Sequence, residues 1–386
     1  MKYWRGYLVA AILAACAWGL QEFAASHWVL VDMIYPYVTR MVQTFLAQWS
    51  AELAFCLWQV LLLALGVGVV ASIVLMIVLR WNVIQWFGWV LTAASVVFLL
   101  HTGIYGLNKY AAPLAEDIRL HMTDYTITEL EDAAEYYRDE ANKLANTVDR
   151  DASGHLQYPS FDELAQQAGE GFQTLTHRDF YSAFAGTVVP VKELGWSSFF
   201  SARGIAGIHV PLTGEAAVNP ETPVVGLPFV ICRQMAKRMC IANEQDAALA
   251  AFLTCRANEQ VPFRYAAYFM AYRYCVNALT SSTDASVQKV LAEIRQGENA
   301  NLRQDVQEYD DSFAAASDAG NATALEGEDV PKRYHVTDLL TSLYIQEVVL
   351  PLQMEEEVQF DPMDETQVDL SGIANAMVPE SSESNE

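Results

Sequence analysis

Arg233, Lys237, Glu244 and Asp246 are the residues whose types and spacing could do chemistry together. Arg233 and Lys237 stand four apart, which on a helix puts both on one face, with Gln234 beside them. Glu244 and Asp246 open the next apolar-periodic stretch, so two cations can meet two carboxylates across neighbouring helices. The plainer reading makes all four ordinary helix charges facing solvent. Gly214-Glu215-Ala216 supplies another carboxylate, for which a catalytic role is conceivable and a structural one is preferred. His209 is the nearest histidine in sequence to this group. Cys232, Cys240, Cys255 and Cys275 contain no CxxC pair, which argues against a zinc knuckle or thioredoxin-like site. One or two disulfides are open to them in an oxidising compartment, and packed buried thiols are the simpler expectation. The chain offers no phosphate-binding glycine loop and no serine nucleophile elbow.

Helices must position these groups. Pro223–Cys240, Glu244–Ala257 and Pro262–Thr280 each have an apolar face and short separators, so the spacing predicts consecutive packed helices. Upstream, Thr126-Ile127-Thr128-Glu129 has the form of a capping box before a helix running to about Val148. A second helix is expected over Phe161–Thr176, and residues 186–223 read as loops with one or two short strands. Ser286–Phe313 reads as one longer charged helix, residues 316–331 as a loop, and His335–Leu352 as a last apolar helix or strand-helix segment. From Glu355 the tail has ten acids and no Lys or Arg, a composition that cannot bury a core, so disorder is expected over 353–386.

The first 110 residues differ in kind. They hold nearly all the long apolar runs, and three segments (3–20, 55–79 and 83–105) read as membrane spans. Arg80, Trp81 and Asn82 alone separate the last two, which predicts a tight hairpin. Trp58, Trp81, Trp86 and Trp89 stand near span ends, as interfacial aromatics do. The first span is shorter, and Leu13-Ala14-Ala15-Cys16 also fits a lipoprotein cleavage box, an option ranked below an uncleaved span. His101, inside the third span, reads as a hydrated group near the interface. Between spans, Trp28, Leu30, Ile34, Val38, Met41, Phe45 and Trp49 recur at helical spacing, the pattern of an amphipathic helix lying on the membrane. Lys2, Arg5 and Arg80 mark the cytoplasmic side, which places everything after residue 106 outside. The net charge of −24 lies almost wholly in that later part and excludes nucleic acid as a partner.

Several pieces together resemble a known family. They are Gly106-Leu107-Asn108, Pro113-Leu114-Ala115-Glu116-Asp117, Leu212-Thr213-Gly214-Glu215-Ala216, Leu227-Pro228-Phe229 and Phe263-Arg264-Tyr265. In this order, behind three spans, they resemble the bacterial membrane family called domain of unknown function 3810, regarded as zinc-metallopeptidase-like. The resemblance covers most of residues 1–345. It implies a zincin-like domain in which the helix after Leu227-Pro228-Phe229 carries His-Glu-x-x-His, two zinc ligands and a general base, with a further carboxylate from the next helix. Here Arg233, Gln234 and Lys237 stand at those three positions, and Glu244 and Asp246 at the carboxylate positions. Arg and Lys are protonated donors that do not bind zinc at neutral pH, and Gln lacks a basic lone pair. The loop at Gly214 and Glu215 would form a cleft wall, and Cys240 takes the place of a family glycine.

The expectation is therefore a mainly α fold, with α+β as an alternative. It has a membrane anchor over 1–110, a zincin-like extracytoplasmic domain over 111–352 and an acidic tail over 353–386. The expected function is a catalytically inactive pseudopeptidase in the bacterial cytoplasmic membrane, without a cofactor, binding an envelope protein or peptide. The rivals are an active metal-dependent hydrolase with displaced ligands, and a sensor or assembly factor acting through its spans.

Overall fold

The computed structural model describes residues 4–176, 182–314 and 332–352, and the expected loop at 316–331 and tail at 353–386 lie outside the described residues. Four long helices come first: α1 (Arg5–Ser26), α2 (Trp28–Ala51), α3 (Leu57–Val78) and α4 (Val83–Ile104). Of these, α1, α3 and α4 are long and apolar enough to cross a membrane. The first span is longer than its sequence reading of 3–20, because Gln21 and Glu22 continue the helix to Ser26 rather than ending it. Cys16 lies in its middle, exposed on the helix surface.

The predicted tight hairpin of α3 and α4 does not form. α4 lies along α1 instead, over Gly6, Ala10, Ala17 and Ala24, the buried residues of α1. Gly6 and Gly88 permit this approach: a Cβ on Gly6 would stand 2.5 Å from the Gly88 carbonyl carbon. Thr92 Oγ1 donates to the Gly6 carbonyl at 2.8 Å across the same seam. Small residues at a helix crossing are how apolar helices gain packing where lipid is as apolar as their partner. α3 stands apart, meeting α4 near their junction through Trp86 Nε1 and Ser72 Oγ at 3.3 Å.

α2 accounts for the separation. At about 1.5 Å per residue its 24 residues span roughly 36 Å, so it carries the chain sideways from α1 to the start of α3. Tyr35, a third of the way along α2, donates to the Thr102 carbonyl at the end of α4 (2.8 Å), while Ser50, at the far end, adjoins the turn into α3. One face of α2 is buried (Val31, Thr39, Gln43, Ala47) and the other exposes Ile34, Val38, Met41, Phe45 and Trp49, as its amphipathic spacing predicts.

After a short α5 (Leu114–Asp117) the rest is mainly helical: α6 (Ile127–Ala145), α7 (Phe161–Thr176), α8 (Ser197–Ser201), α9 (Leu227–Arg238), α10 (Glu244–Ala257), α11 (Val261–Thr280), α12 (Ala285–Gln296), α13 (Ala300–Asp310) and α14 (Val336–Tyr344). The Thr126 capping box forms as its sequence predicts, with Thr126 Oγ1 accepting from Glu129 N and Glu129 accepting from Thr126 N. Residues 286–313 form two helices, a correction to the single one expected. Asn299 starts α13 by accepting from Leu302 N at 2.8 Å, and Asn142 of α6 binds both Gly297 O and Asn299 N in the break. The Arg138 guanidinium packs on Gly297, where a Cβ would stand 2.6 Å from its Nη1 and push the side chain aside. α14 runs on into a π-helical turn, Ile345–Val349.

A small sheet of three short strands, β1 (Lys192–Glu193), β3 (Glu215–Val218) and β2 (Gly207–Val210), lies in the interval read as loops with one or two short strands. β1 runs parallel to the central β3, pairing Lys192 with Ala217, and β2 runs antiparallel, pairing Val210 with Glu215. The main core gathers residues from α5 through α14, with α9, α10 and α11 innermost. The described residues through Ile345 form one compact unit; Gln346 and those after it belong to a second.

Candidate functional site

α9 begins with Pro228 in its first turn, where a missing N–H costs nothing, and ends where Cys240 turns to φ +72°. Cys240 N donates to Lys237 O (2.9 Å) and Ile241 N to Ala236 O (3.2 Å), the double closure of a Schellman motif. The left-handed residue of that motif is normally glycine, and a side chain there strains the backbone. Cys240 keeps its place as a buried thiol accepting from Thr39 Oγ1 at 3.4 Å, and burial pushes it up to about 11. It is a packed thiol held largely in its protonated form. All six cysteines are free.

The four charges singled out in the sequence do not all meet. Arg233 and Gln234 are buried, at 2 % and 1 % exposure, and Gln234 packs so closely on Gly207 of β2 that a Cβ there would stand 2.7 Å from its Cγ. Its Oε1 has no hydrogen-bond partner among the described residues. The Lys237 ammonium binds Glu244 Oε1 across the α9–α10 turn. Burial lowers the Lys237 pKa, with Glu244 opposing that shift and Arg233 adding to it. Asp246 has a different partner: Arg333, just before α14, donates through Nη1 to Asp246 Oδ2 at 2.6 Å. Arg333 Nη2 also donates to the Lys109 and Ala111 carbonyls at 2.9 and 2.6 Å. Burial still raises the Asp246 carboxyl above the usual range, with Arg333 pulling the other way.

α2 closes over this region. Arg40 donates to Met239 O (3.1 Å) at the end of α9 and to Ser182 O and Ala185 O, placing a cation at the negative end of a helix. Asp32 accepts from Ala112 N, and Gln43 reaches the Pro211 carbonyl at 3.1 Å. His209 sits beneath, 3.2 Å from Gln43 Oε1 and edge-on to Tyr105, whose hydroxyl donates to the Lys237 carbonyl. Burial and the nearby Arg238 and Lys237 hold His209 far below its ordinary pKa, so its imidazole is neutral. The cavity left between these elements measures about 50 Å3 and is lined by Asp32, Arg40, Asn108, Asp117, Asp246 and Arg333 among others. That is room for a few waters, each needing roughly 10–15 Å3 of such space. Burial, with Asp32 close by, pushes the Asp117 carboxyl up to about 6.

Gly214 and Glu215 are placed together, against α2 and the start of α3. Gly214 takes φ +66° and presses on α2, where a Cβ would stand 2.6 Å from Leu46 Cβ and 2.8 Å from Gln43 O. The buried Glu215 carboxylate accepts from Leu57 N (2.8 Å) and Trp58 N (2.9 Å), the first two residues of α3. It thus satisfies orphan donors and complements the positive end of a candidate span. Lys192 donates to the same carboxylate at 2.8 Å and to Ser50 O and Phe55 O in the α2–α3 turn. Gln59 completes the clasp, exchanging two hydrogen bonds with the Gly195 backbone.

Sequence reasoning missed Arg333, Lys192 and Arg40. Each is a cation remote in sequence from the carboxylate or carbonyls it serves, and no local spacing marks it.

The fold and site define a class: a mainly helical membrane protein whose candidate spans are fastened to a helical domain through buried charge. The chain belongs to the family described as Protein of unknown function (DUF3810), whose model matches residues 31–340, from α2 into α14. No curated protein and no solved structure matches it.

Proposed function

We propose that this protein is a metallopeptidase-like membrane protein that has exchanged its metal centre for ion pairs and acts as a scaffold, not as a hydrolase. The observation that carries this reading is the Lys237–Glu244 pair. The family resemblance puts a zinc-binding histidine at position 237 and a carboxylate ligand near 244; here one supplies a cation to the other. The residues present do not fit zinc. Arg233 and Lys237 are donors without a lone pair, and the Gln234 amide cannot take a proton from water. Removing a dication would leave the buried Asp246 and the partly buried Glu244 uncompensated, and a guanidinium on Asp246 and an ammonium on Glu244 supply the missing charge. The cavity beside Asp246 and Arg333, at about 50 Å3, is too small for a peptide, so this reading puts an envelope protein or peptide on the surface of the domain.

The location belongs to the same proposal: the bacterial cytoplasmic membrane, crossed several times, with the domain outside. Lys2, Arg5 and Arg80 support it through the bias of Lys and Arg toward the cytoplasmic side. A cysteine introduced at the exposed Ser281 of intact cells should react with a membrane-impermeant maleimide; labelling only after lysis refutes the placement. For the chemistry, the full chain purified in detergent without chelators is expected to hold substoichiometric zinc by elemental analysis. Stoichiometric zinc would establish the displaced-ligand hydrolase instead.

A further inference from the structure

Trp196 is half exposed (51 %) and adopts φ +56°, a left-handed conformation that bulky residues avoid. The indole lies over the side of α3, sharing an apolar surface with Leu62, Leu63, Gly66 and Val67. At about 1.5 Å per residue, Leu62 and Gly66 stand roughly 7 and 13 Å along the axis from Leu57, where α3 begins. Since α3 is a candidate span of 22 residues, with a length of roughly 33 Å against hydrocarbon of about 30 Å, Trp196 reaches below the plane in which the span starts.

The short helix that follows, α8, has two faces. Phe200 points inward, edge-on to Trp58 at the top of α3 and in one cluster with Cys56 and Leu194. Phe199 points outward with 52 % exposure, and the Arg203 guanidinium lies 3.6 Å above its ring while donating to the Phe199 carbonyl. The acid of this loop, Glu221, is occupied as an acceptor from Ser198 and Ser201. Exposed indole and phenyl beside a guanidinium are the chemistries that acyl chains and phosphate take in a lipid monolayer.

We infer that the Trp196–Arg203 segment inserts into the leaflet on the domain's side. Its partner is phospholipid, with Trp196 and Phe199 among acyl chains and Arg203 at the phosphate. Continuity with α3 favours lipid over a soluble partner, because the Gln59–Gly195 exchange and the Glu215 cap fix this loop to the span. The domain therefore rests on the membrane through a contact distant in sequence from its spans. This inference rests on α3 crossing the membrane and is independent of whether a metal is bound.

The full chain in nanodiscs containing a small fraction of phospholipid with a diazirine on the acyl chain provides the test, with adducts mapped by mass spectrometry after irradiation. Adducts on the 196–203 peptide are expected beside those on α3. They should fall several-fold in Trp196→Asn/Phe199→Ser, with α1 and α4 adducts and the melting temperature unchanged. Labelling of α3 with a bare 196–203 peptide overturns the inference. A spin label at Phe199→Cys in a Cys16→Ala background gives a second reading: collisions dominated by oxygen agree, and collisions dominated by a water-soluble nickel complex refute it. Absence of adducts from α3 itself would sink the inference with its premise, leaving the metal question untouched.

Discussion

Replacing Arg333 by Met tests the charge balance at the centre of the site. The side chains of Arg333 and Asp246 are 4 % and 6 % exposed, so bulk water can take over little of their interaction. Breaking such a pair by removing one member costs about 3–5 kcal/mol, since the other charge stays buried without its partner. The two backbone carbonyls that lose their donor add about 1 kcal/mol each. For a unit of this size, about 2 °C per kcal/mol puts the fall in melting temperature near 10 °C at pH 8. Asp246 has an escape that gives the argument a second signature. Burial already raises its carboxyl pKa, and loss of Arg333 raises it further, so the native variant takes up a proton that the unfolded chain does not. Stability from that proton is fully present below the unfolded value near 4 and is lost as pH rises through the folded one. The deficit of Arg333→Met should therefore be smaller at pH 5 than at pH 8, leaving mainly the pH-independent loss at the carbonyls. Adding Asp246→Asn should remove the pH dependence. Thermal unfolding of the detergent-solubilised chain, followed by intrinsic fluorescence at both pH values, reads all three. Equal deficits at pH 5 and pH 8, or a double variant as pH-sensitive as the single, would refute the reasoning.

Charge reversal at Lys237 sets two carboxylates against each other, and Lys237→Glu should lower the melting temperature by several degrees; Lys237→Met with Glu244→Gln should be nearly neutral, because Glu244 is 37 % exposed and partly screened. No change on reversal would return these residues to ordinary surface charges. Glu215→Gln keeps one acceptor for α3 but removes the charge that balances Lys192, and about 2–3 kcal/mol of local stability should be lost. Limited proteolysis should then cut at residues 52–55 faster than in the parent chain. Cys240→Gly relieves about 1 kcal/mol of left-handed strain and forfeits a small buried thiol, so it should be neutral or mildly stabilising. Cys240→Val should instead destabilise, and equal melting temperatures for the two would contradict the left-handed assignment.

Local rules made much of this fold legible. Thr126 and Glu129 announce α6, the length and apolarity of α3 and α4 announce two spans, and α10 begins at Glu244 as its spacing predicts. Non-local packing defeated the rest. The break at Gly297 depends on Arg138 and Asn142, more than 150 residues earlier, and the splaying of α3 from α4 depends on α2 lying between their far ends. Of the site, Lys237 and Glu244 could be paired from spacing because one short turn joins their helices. Asp246 could not be matched with Arg333, nor Glu215 with Lys192 and the start of α3, because each pairing joins segments that no periodicity relates.

These long-range pairings also bear on where the domain ends. A boundary at residue 110 follows composition, but the buried charges cross it. Glu215 and Lys192 serve backbone groups of Ser50, Phe55, Leu57 and Trp58, and Arg333 holds the Lys109 and Ala111 carbonyls. Arg40 supplies the cation at the end of α9, and the Gly214 turn has no room to move because α2 lies against it. A chain beginning at residue 111 would leave Glu215, Lys192 and the last carbonyls of α9 without these partners. Buried polar groups of that kind cost about 1–3 kcal/mol each when unmatched. Several at once approach the 5–15 kcal/mol that separates a typical folded domain from its unfolded chain. The helical domain is thus complete only with its membrane helices in place. The first turn of α3 is bonded to β3 through Glu215, and β3 packs in turn against α9.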